Sequence, residues 1–515
     1  MNGAQALIRT LVGCGVDTCF SNPGTSEMQF VAALDDVPEM RAVLCLFEGV
    51  ATGAADGYGR MAQRPAATLL HLGPGLGNGI ANLHNARRAA TPVVNLVGDH
   101  ATTHLAYDPP LASDIESLAR PVSRWFRSSS SPGELPADTA DAVAGAAGPP
   151  GGVATLVVPA DLTWEEAGDP LSRRPHPVGR AVPDDAVAAA VKALRSGERA
   201  AVLVGGEALQ RRGLEAASRV AEHSGAKLLC ETFPARLERG AGLPAVERLG
   251  YLAEFIVAQL EGVRHLVLAG APAPVSFFAY PGRPGYLVPA GCEVHTLAVP
   301  GDDVAGALES LADALGAPAD GARGQQAGRP GRPTGALDGQ TVAAAIGALL
   351  PEDAIVSDEG NTAGIFAPGA TAGTPPHDWL CLPGGAIGQG MPVATGAAVA
   401  CPGRRVLSLE ADGSAMYTLQ ALWTQARESL DVTTVVLANR SYAILELELG
   451  RVGAGVPGPR ARRMLDLGHP DLSFTALAAG MGVPASRATT ADEFADQLER
   501  SFATPGPAVV EAVLG

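Results

Sequence analysis

An α/β architecture of three doubly wound parallel-sheet domains is the fold class that the sequence predicts. Short apolar, β-prone runs alternate with helical periodicity along the whole chain. Its 515 residues suffice for about three domains of ordinary size. Stretches rich in Pro and Gly and poor in large apolar residues divide the alternation into three blocks.

The first block, residues 1–168, predicts helices over 4–12, 25–34, 48–61 and 79–90, with strands over 17–21, 42–47, 67–72 and 93–97. Pro149-Pro150-Gly151-Gly152 and residues 169–177 lead out of it. The second block, 184–316, predicts strands over 200–204, 227–230, 265–269 and 293–299. Residues 317–340 contain almost no large apolar side chain and read as an exposed linker. The third block, 341–515, resumes the alternation.

Hydrophobic residues at 47% against 18% charged imply a protein with much interior, and the formal net charge of −17 argues against nucleic acid or an anionic membrane as partner. Seven Cys residues lack CxxC spacing, which suggests core thiols and neither a disulfide framework nor a zinc site. The first sixteen residues lack the marks of a signal peptide, and no run is long enough to span a membrane, so the expected location is cytoplasmic.

Residues 404–449 carry the clearest chemistry. A strand over 406–409 ends at Glu410-Ala411-Asp412-Gly413-Ser414, and a helical pattern follows with Leu419, Leu422, Trp423 and Ala426 on one face. A second strand, 432–437, then ends at Ala438-Asn439-Arg440-Ser441. Adjacent parallel strands of a βαβ unit place Asp412 and Asn439 together at the carboxyl edge of a sheet, where such sheets bind ligands. Gly413 lets backbone approach a ligand, and the N–H groups at Ser414 offer an anion site. Carboxylate, carboxamide and helix start together suit Mg²⁺ or Ca²⁺ bridging a diphosphate. Asp-Gly is also a common turn dipeptide, so this reading depends on the rest of the chain.

At these residues the sequence resembles the thiamine diphosphate-dependent decarboxylase and carboligase superfamily of acetolactate synthase and benzoylformate decarboxylase. Its Gly-Asp-Gly triplet and later Asn pair match Asp412 and Asn439, 27 residues apart, with Ala411 and Ala438 departing from the pattern. The resemblance implies Mg²⁺ held by Asp412, Asn439 and the Ser441 carbonyl. It also implies three domains that bind the pyrimidine, occupy the centre and bind the diphosphate. Glu48, followed by a small-residue helix ending in Ala55-Asp56-Gly57-Tyr58, falls where the family's glutamate activates the aminopyrimidine. At the end of an apolar strand a carboxylate is also explained by the helix macrodipole, but the paired motifs favour catalysis. Asp56 reads as structural.

Asn22-Pro23-Gly24-Thr25-Ser26-Glu27 resembles a loop in which a hydroxyl near Thr25 faces the substrate, while helix capping by Thr25 or Ser26 explains it equally. His71 to Gly79 is a loose match to a dinucleotide loop and a better one to the family's Gly-Pro-Gly-x-x-Asn segment. His71 is either a proton relay or a core histidine. The resemblance further places Glu359, Gly360, Asn361 and Thr362 at the diphosphate, the Gly385 carbonyl at the aminopyrimidine, and Ile387 as the apolar prop beneath the cofactor.

The implied activity is decarboxylation of a 2-oxo acid followed by carboligation to an acceptor carbonyl, acetolactate synthase-like. Simple decarboxylation of the benzoylformate decarboxylase type is the alternative, and a degenerate structural or regulatory subunit is the nonenzymatic one. The family also implies a homo-oligomer, dimer or dimer of dimers, with Glu48 and Asp412 meeting across a subunit interface. The small-residue helices after Glu48 and Ser414 are expected to be buried against that partner.

Overall fold

The computed structural model describes residues 1–515 and contains three sheets. The first comprises β1 Thr18–Asn22, β2 Arg41–Leu44, β3 Ala66–Leu70, β4 Val93–Asp99, β5 Trp125–Ser128 and β6 Val153–Pro159, all parallel, in the order β2-β1-β3-β4-β6-β5. The winding reverses between β1 and β3, which opens a crevice at their carboxyl ends.

The second sheet takes β7 Ala200–Val204, β8 Lys227–Cys230, β10 Glu247–Arg248, β11 His265–Ala269 and β12 Glu293–Ala298 in the order β10-β8-β7-β11-β12, again parallel. The third contains β13 Ile355–Glu359, β14 His377–Leu380, β15 Val406–Ala411, β16 Val432–Ala438, β17 Ala485–Ala488 and β18 Ala508–Val513. Its order is β17-β18-β16-β15-β13-β14-β9, and its winding reverses between β13 and β15. The last strand, β9 Leu237–Arg239, comes from the middle block and pairs antiparallel with β14. Three residues are too few to show periodicity, so β9 and the two-residue β10 had no sequence signal.

The glycines of residues 73–79 do not form a loop. The helix Leu72–Arg88 starts immediately after β3, and its chain reversal is taken up at Leu72, which has φ 50°. The helix predicted over 25–34 is instead a 3₁₀ turn, Thr25–Glu27, followed by Met28–Ala33. The helix predicted after Ser414 is likewise divided into the single turn Asp412–Ala415 and the helix Gln420–Arg427.

The small-residue helix Glu48–Ala62 is buried along almost its whole length. It packs against Gly390–Ala400 of the same chain, backbone to backbone: a Cβ on Gly396 would overlap the Ala54 carbonyl, and one on Gly57 the Val393 carbonyl. Its composition therefore answers to a contact within one chain, not to the partner surface expected from the sequence.

Residues 318–336 form no helix or named strand and are mostly exposed. They are nonetheless fastened down. Gln325 exchanges backbone hydrogen bonds with Gly242 and Leu243, and Arg329 donates to the carbonyls of Gly347, Ala348 and Leu350 at a helix end. Five of the seven Cys residues are buried, none is disulfide-bonded, and no helix is long and apolar enough to cross a membrane.

Candidate active site

Glu48 is the first residue of its helix, where β2 has delivered the chain to the carboxyl edge of the first sheet. It is 7% exposed, and its Oε2 accepts a hydrogen bond from Asn78 Nδ2 at 3.0 Å. A Cβ on Gly75 would lie 3.2 Å from Glu48 Oε1 and 3.4 Å from His71 Cβ. Glu48 and His71 thus share one small volume, which a side chain at Gly75 would crowd. His71 is half-buried, and its Nδ1 lies 2.9 Å from Glu27 Oε2. That oxygen also accepts the Gly24 N–H at 2.8 Å, so Nδ1 is the donor towards Glu27 and Nε2 is left as the ring's free nitrogen. Burial raises the Glu27 pKa, against the opposing pull of the Gly24 N–H and His71.

Thr25 is exposed and caps nothing. The turn's N-cap is Gly24, whose N–H is taken by Glu27. Glu27, at the end of the same loop, is buried and paired with His71.

The two terminal blocks meet at the glycine-rich segment. Asn82 Nδ2 donates to Gly49 O at 2.7 Å and to Gly388 O at 3.3 Å, so one amide spans the Glu48 helix and the third block. Asn85 Nδ2 donates to Ala386 O at 2.8 Å, and His84 Nε2 lies 3.1 Å from Gly384 O. Ile387 is half-buried beside these anchored carbonyls. Gly385 adopts φ 74°, and a Cβ there would come within 2.6 Å of the Phe277 ring. Neither Asn82 nor Asn85 had a sequence signal, because an asparagine within a helix pattern reads as surface.

Glu359 does not turn towards a diphosphate. It is 3% exposed and accepts the N–H groups of Gly388 at 2.7 Å and Gly390 at 2.6 Å, which holds the segment from behind. Burial pushes its pKa up to about 7. The neighbouring buried Glu410 is pushed up as well, by burial and by Glu359.

On the third sheet the winding reversal brings the ends of β13 and β15 together. Asn361 Nδ2 donates to Ser414 Oγ at 3.0 Å across it, with Gly360 buried and Thr362 half-buried alongside. Asp412 is 3% exposed and accepts backbone N–H groups only, from Gly413 at 2.8 Å and Arg440 at 2.6 Å. Burial raises its pKa despite these donors. Asn439 Oδ1 accepts the Ser441 N–H at 3.0 Å, and no backbone donor takes the Ser441 carbonyl. The Asp412 carboxylate, the Asn439 amide and the Ser441 carbonyl are therefore hard oxygen donors gathered at two neighbouring strand ends. A buried carboxylate without a cationic side chain is the environment a divalent cation completes, so these residues fit Mg²⁺. Gly413 is needed for a different reason than expected, since a Cβ there would collide with the Tyr442 ring. The anion site expected at Ser414 reduces to one helical turn and its hydroxyl.

Comparison with known proteins gives two family matches: residues 1–117 match the thiamine pyrophosphate enzyme N-terminal TPP binding domain, and residues 358–512 the C-terminal TPP binding domain. A Mycobacterium tuberculosis protein provisionally named acetolactate synthase large subunit IlvX is 59% identical over 100% of this chain and 99% of its own length. Benzoylformate decarboxylase of Pseudomonas aeruginosa is 30% identical over 96% of each chain. The solved structure of the thiamine diphosphate-dependent 4-hydroxybenzoylformate decarboxylase of Rhodococcus jostii RHA1 superposes with a TM-score of 0.88 at 24% identity, covering 100% of this chain and 99% of that one.

Proposed function

The chain belongs to the thiamine pyrophosphate enzyme family, and from that premise we propose that it decarboxylates a 2-oxo acid and releases an aldehyde. The observation that carries this reading is the Glu27–His71 pair beside Glu48. A ring whose Nδ1–H is held by Glu27 leaves Nε2 free to take up a proton and then hand it to the carbon that has lost CO₂. Thiamine diphosphate, when bound, supplies the electron sink for that decarboxylation. Glu48 exchanges the proton that activates the cofactor, Asn78 fixes its carboxylate, and Asn82 and Asn85 hold the carbonyls of residues 384–388 in place. Gly360, Asn361, Thr362, Gly413 and Ser414 would hold the diphosphate, the Gly385 carbonyl would meet the aminopyrimidine, Ile387 would prop the cofactor from beneath, and Asp412, Asn439 and Ser441 would hold Mg²⁺.

A second reading, carboligation to an acceptor carbonyl, is favoured by the 59% identical relative that carries the acetolactate synthase name. A panel of 2-oxo acids, each with and without an acceptor aldehyde or ketone, separates the two by CO₂ release and product mass. Aldehyde as the sole product supports the first reading; acyloin in the acceptor arm selects the second. Within the first, His71→Ala is expected to slow aldehyde formation by about 10²–10⁴-fold with thiamine diphosphate affinity unchanged. An unaltered rate would remove His71 from the reaction.

Asp412→Ala and Asn439→Ala are each expected to weaken Mg²⁺-dependent thiamine diphosphate binding by about 10–100-fold, the worth of a lost interaction with a charged group. Both residues lie at strand ends, so circular dichroism should be unchanged. Wild-type affinity in calorimetric titrations of both variants would overturn the Mg²⁺ assignment.

We place this site between two copies of the chain. Both halves of it carry exposed apolar side chains: Met28 next to Glu27 and Leu46 just before Glu48, each 45% exposed, and Ile365 and Tyr417, 63% and 53% exposed, a turn beyond Asn361 and Ser414 in the chain. A second copy bringing one set onto the other would cover both.

A further inference from the structure

The amino edge of the middle sheet, at the opposite strand ends from those that carry a ligand crevice, holds a group of side chains with no part in the reaction. His265 opens β11 and Glu293 opens β12, and the parallel register sets His265 beside Glu293 and Val267 beside His295. Side chains alternate along a strand, so Glu293 and His295 share a face of β12 with His265 of β11. His265 Nδ1 and His295 Nε2 lie 3.2 Å apart. The Glu293 carboxylate is 3.8 Å from the first and 3.9 Å from the second. A tetrahedral ion with bonds of about 2.0–2.1 Å holds its ligand atoms roughly 3.4 Å apart, and the three atoms already form a triangle of that scale. On the far side of the ring, His265 Nε2 lies 3.0 Å from Glu198 Oε2. A carboxylate that takes the Nε2 proton leaves Nδ1 bare and aimed at the triangle, as is usual for metal-bound imidazoles.

We propose that His265, His295 and Glu293 bind a zinc-class divalent cation, with water as fourth ligand and Glu198 orienting His265. Two imidazoles and one carboxylate select Zn²⁺, Ni²⁺ or Cu²⁺ over Mg²⁺, which prefers oxygen donors. His265 is 10% exposed and His295 18% at the side chain, whereas Glu293 is 72% exposed, so the imidazoles are packed and the carboxylate side admits ion and water. The bound ion fastens the edge strand β12 to β11, away from the thiamine diphosphate site and independent of it.

The test uses the full chain, stripped by a chelator and titrated with Zn²⁺ in excess Mg²⁺. One equivalent of Zn²⁺ per chain is expected, and Co²⁺ in its place should show the absorption bands of a tetrahedral site. His295→Ala should abolish that equivalent. Glu293→Gln, at a largely exposed position that leaves the fold intact, should weaken it at least tenfold. Glu198→Gln should weaken it by about 10–100-fold through the loss of orientation. The proposal is overturned if the wild type takes up no stoichiometric Zn²⁺, or if Glu293→Gln binds it as the wild type does.

Discussion

Glu48→Gln is expected to lower turnover by about 10²–10⁴-fold, the range for losing a positioned acid–base group, while thiamine diphosphate affinity and the fold are kept. The geometry allows this separation. Asn78 Nδ2 donates to Glu48 Oε2 at 3.0 Å, and a glutamine carbonyl accepts the same bond, so the side chain stays in place. What is lost is proton exchange, which an amide cannot perform. The helix also loses a negative charge in its first turn, worth about 0.3–1 kcal/mol, too little to unfold a helix buried on all sides. Deuterium exchange at the thiazolium C2 of bound cofactor reads the effect directly, and exchange as fast as in the parent would show that Glu48 is not the activator. The same variant tests the shared site. Mixed with Asp412→Ala chains after partial denaturation, it should regain activity towards about half of the wild-type value per heterodimer if sites are independent. Mass-verified heterodimers that stay inactive would mean that each chain builds its own site.

Asp56→Ala is expected to destabilise the protein by about 3–5 kcal/mol, with Arg60 as the reason. Asp56 is fully buried and Arg60 is 6% exposed; Arg60 Nε donates to Asp56 Oδ1 at 2.8 Å, and Thr91 Oγ1 donates to the same oxygen at 2.6 Å. Arg60 Nη2 donates both to Asp56 Oδ2 at 2.5 Å and to Gln389 Oε1 at 3.1 Å, and Nη1 donates to Cys381 O at 2.7 Å, across the contact between the first and third blocks. Alanine leaves that cation buried with neutral partners only. The double change Asp56→Leu with Arg60→Met removes both charges and should recover much of the loss. Denaturation midpoints of the three proteins decide the matter: a single variant as stable as the parent, or a double variant no better than the single, would refute the account.

The strands that the pattern predicts well are those buried on both faces, such as β7, β11, β15 and β16, because continuous apolar runs bounded by turns carry their own signal. The residues read poorly are those whose role depends on what lies opposite. Thr25 sits in a capping position, yet the cap is made by Glu27 reaching back to Gly24. The glycines of 73–79 read as a loop, yet all four lie inside a helix, and at Gly73 and Gly79 a Cβ would collide with the side chains of Ser113 and Thr52. Glu359 reads as a phosphate-side residue and instead holds two N–H groups of a segment 29 and 31 residues further along.

By itself the sequence determined the three-block α/β alternation and the position of each key side chain at a strand or helix end. It also determined the pairing of Asp412 with Asn439, since the connectivity of a βαβ unit brings those two strand ends together whatever surrounds them. Only the tertiary structure decided how the halves are joined: Asn82 spanning Gly49 and Gly388, Arg60 reaching the Cys381 carbonyl, β9 lent to the third sheet, and His265 set against His295. Those contacts link residues far apart in the chain. Periodicity and turn chemistry act over a few residues, and hydrogen bonds that close loops of 30 to more than 300 residues leave no trace in them.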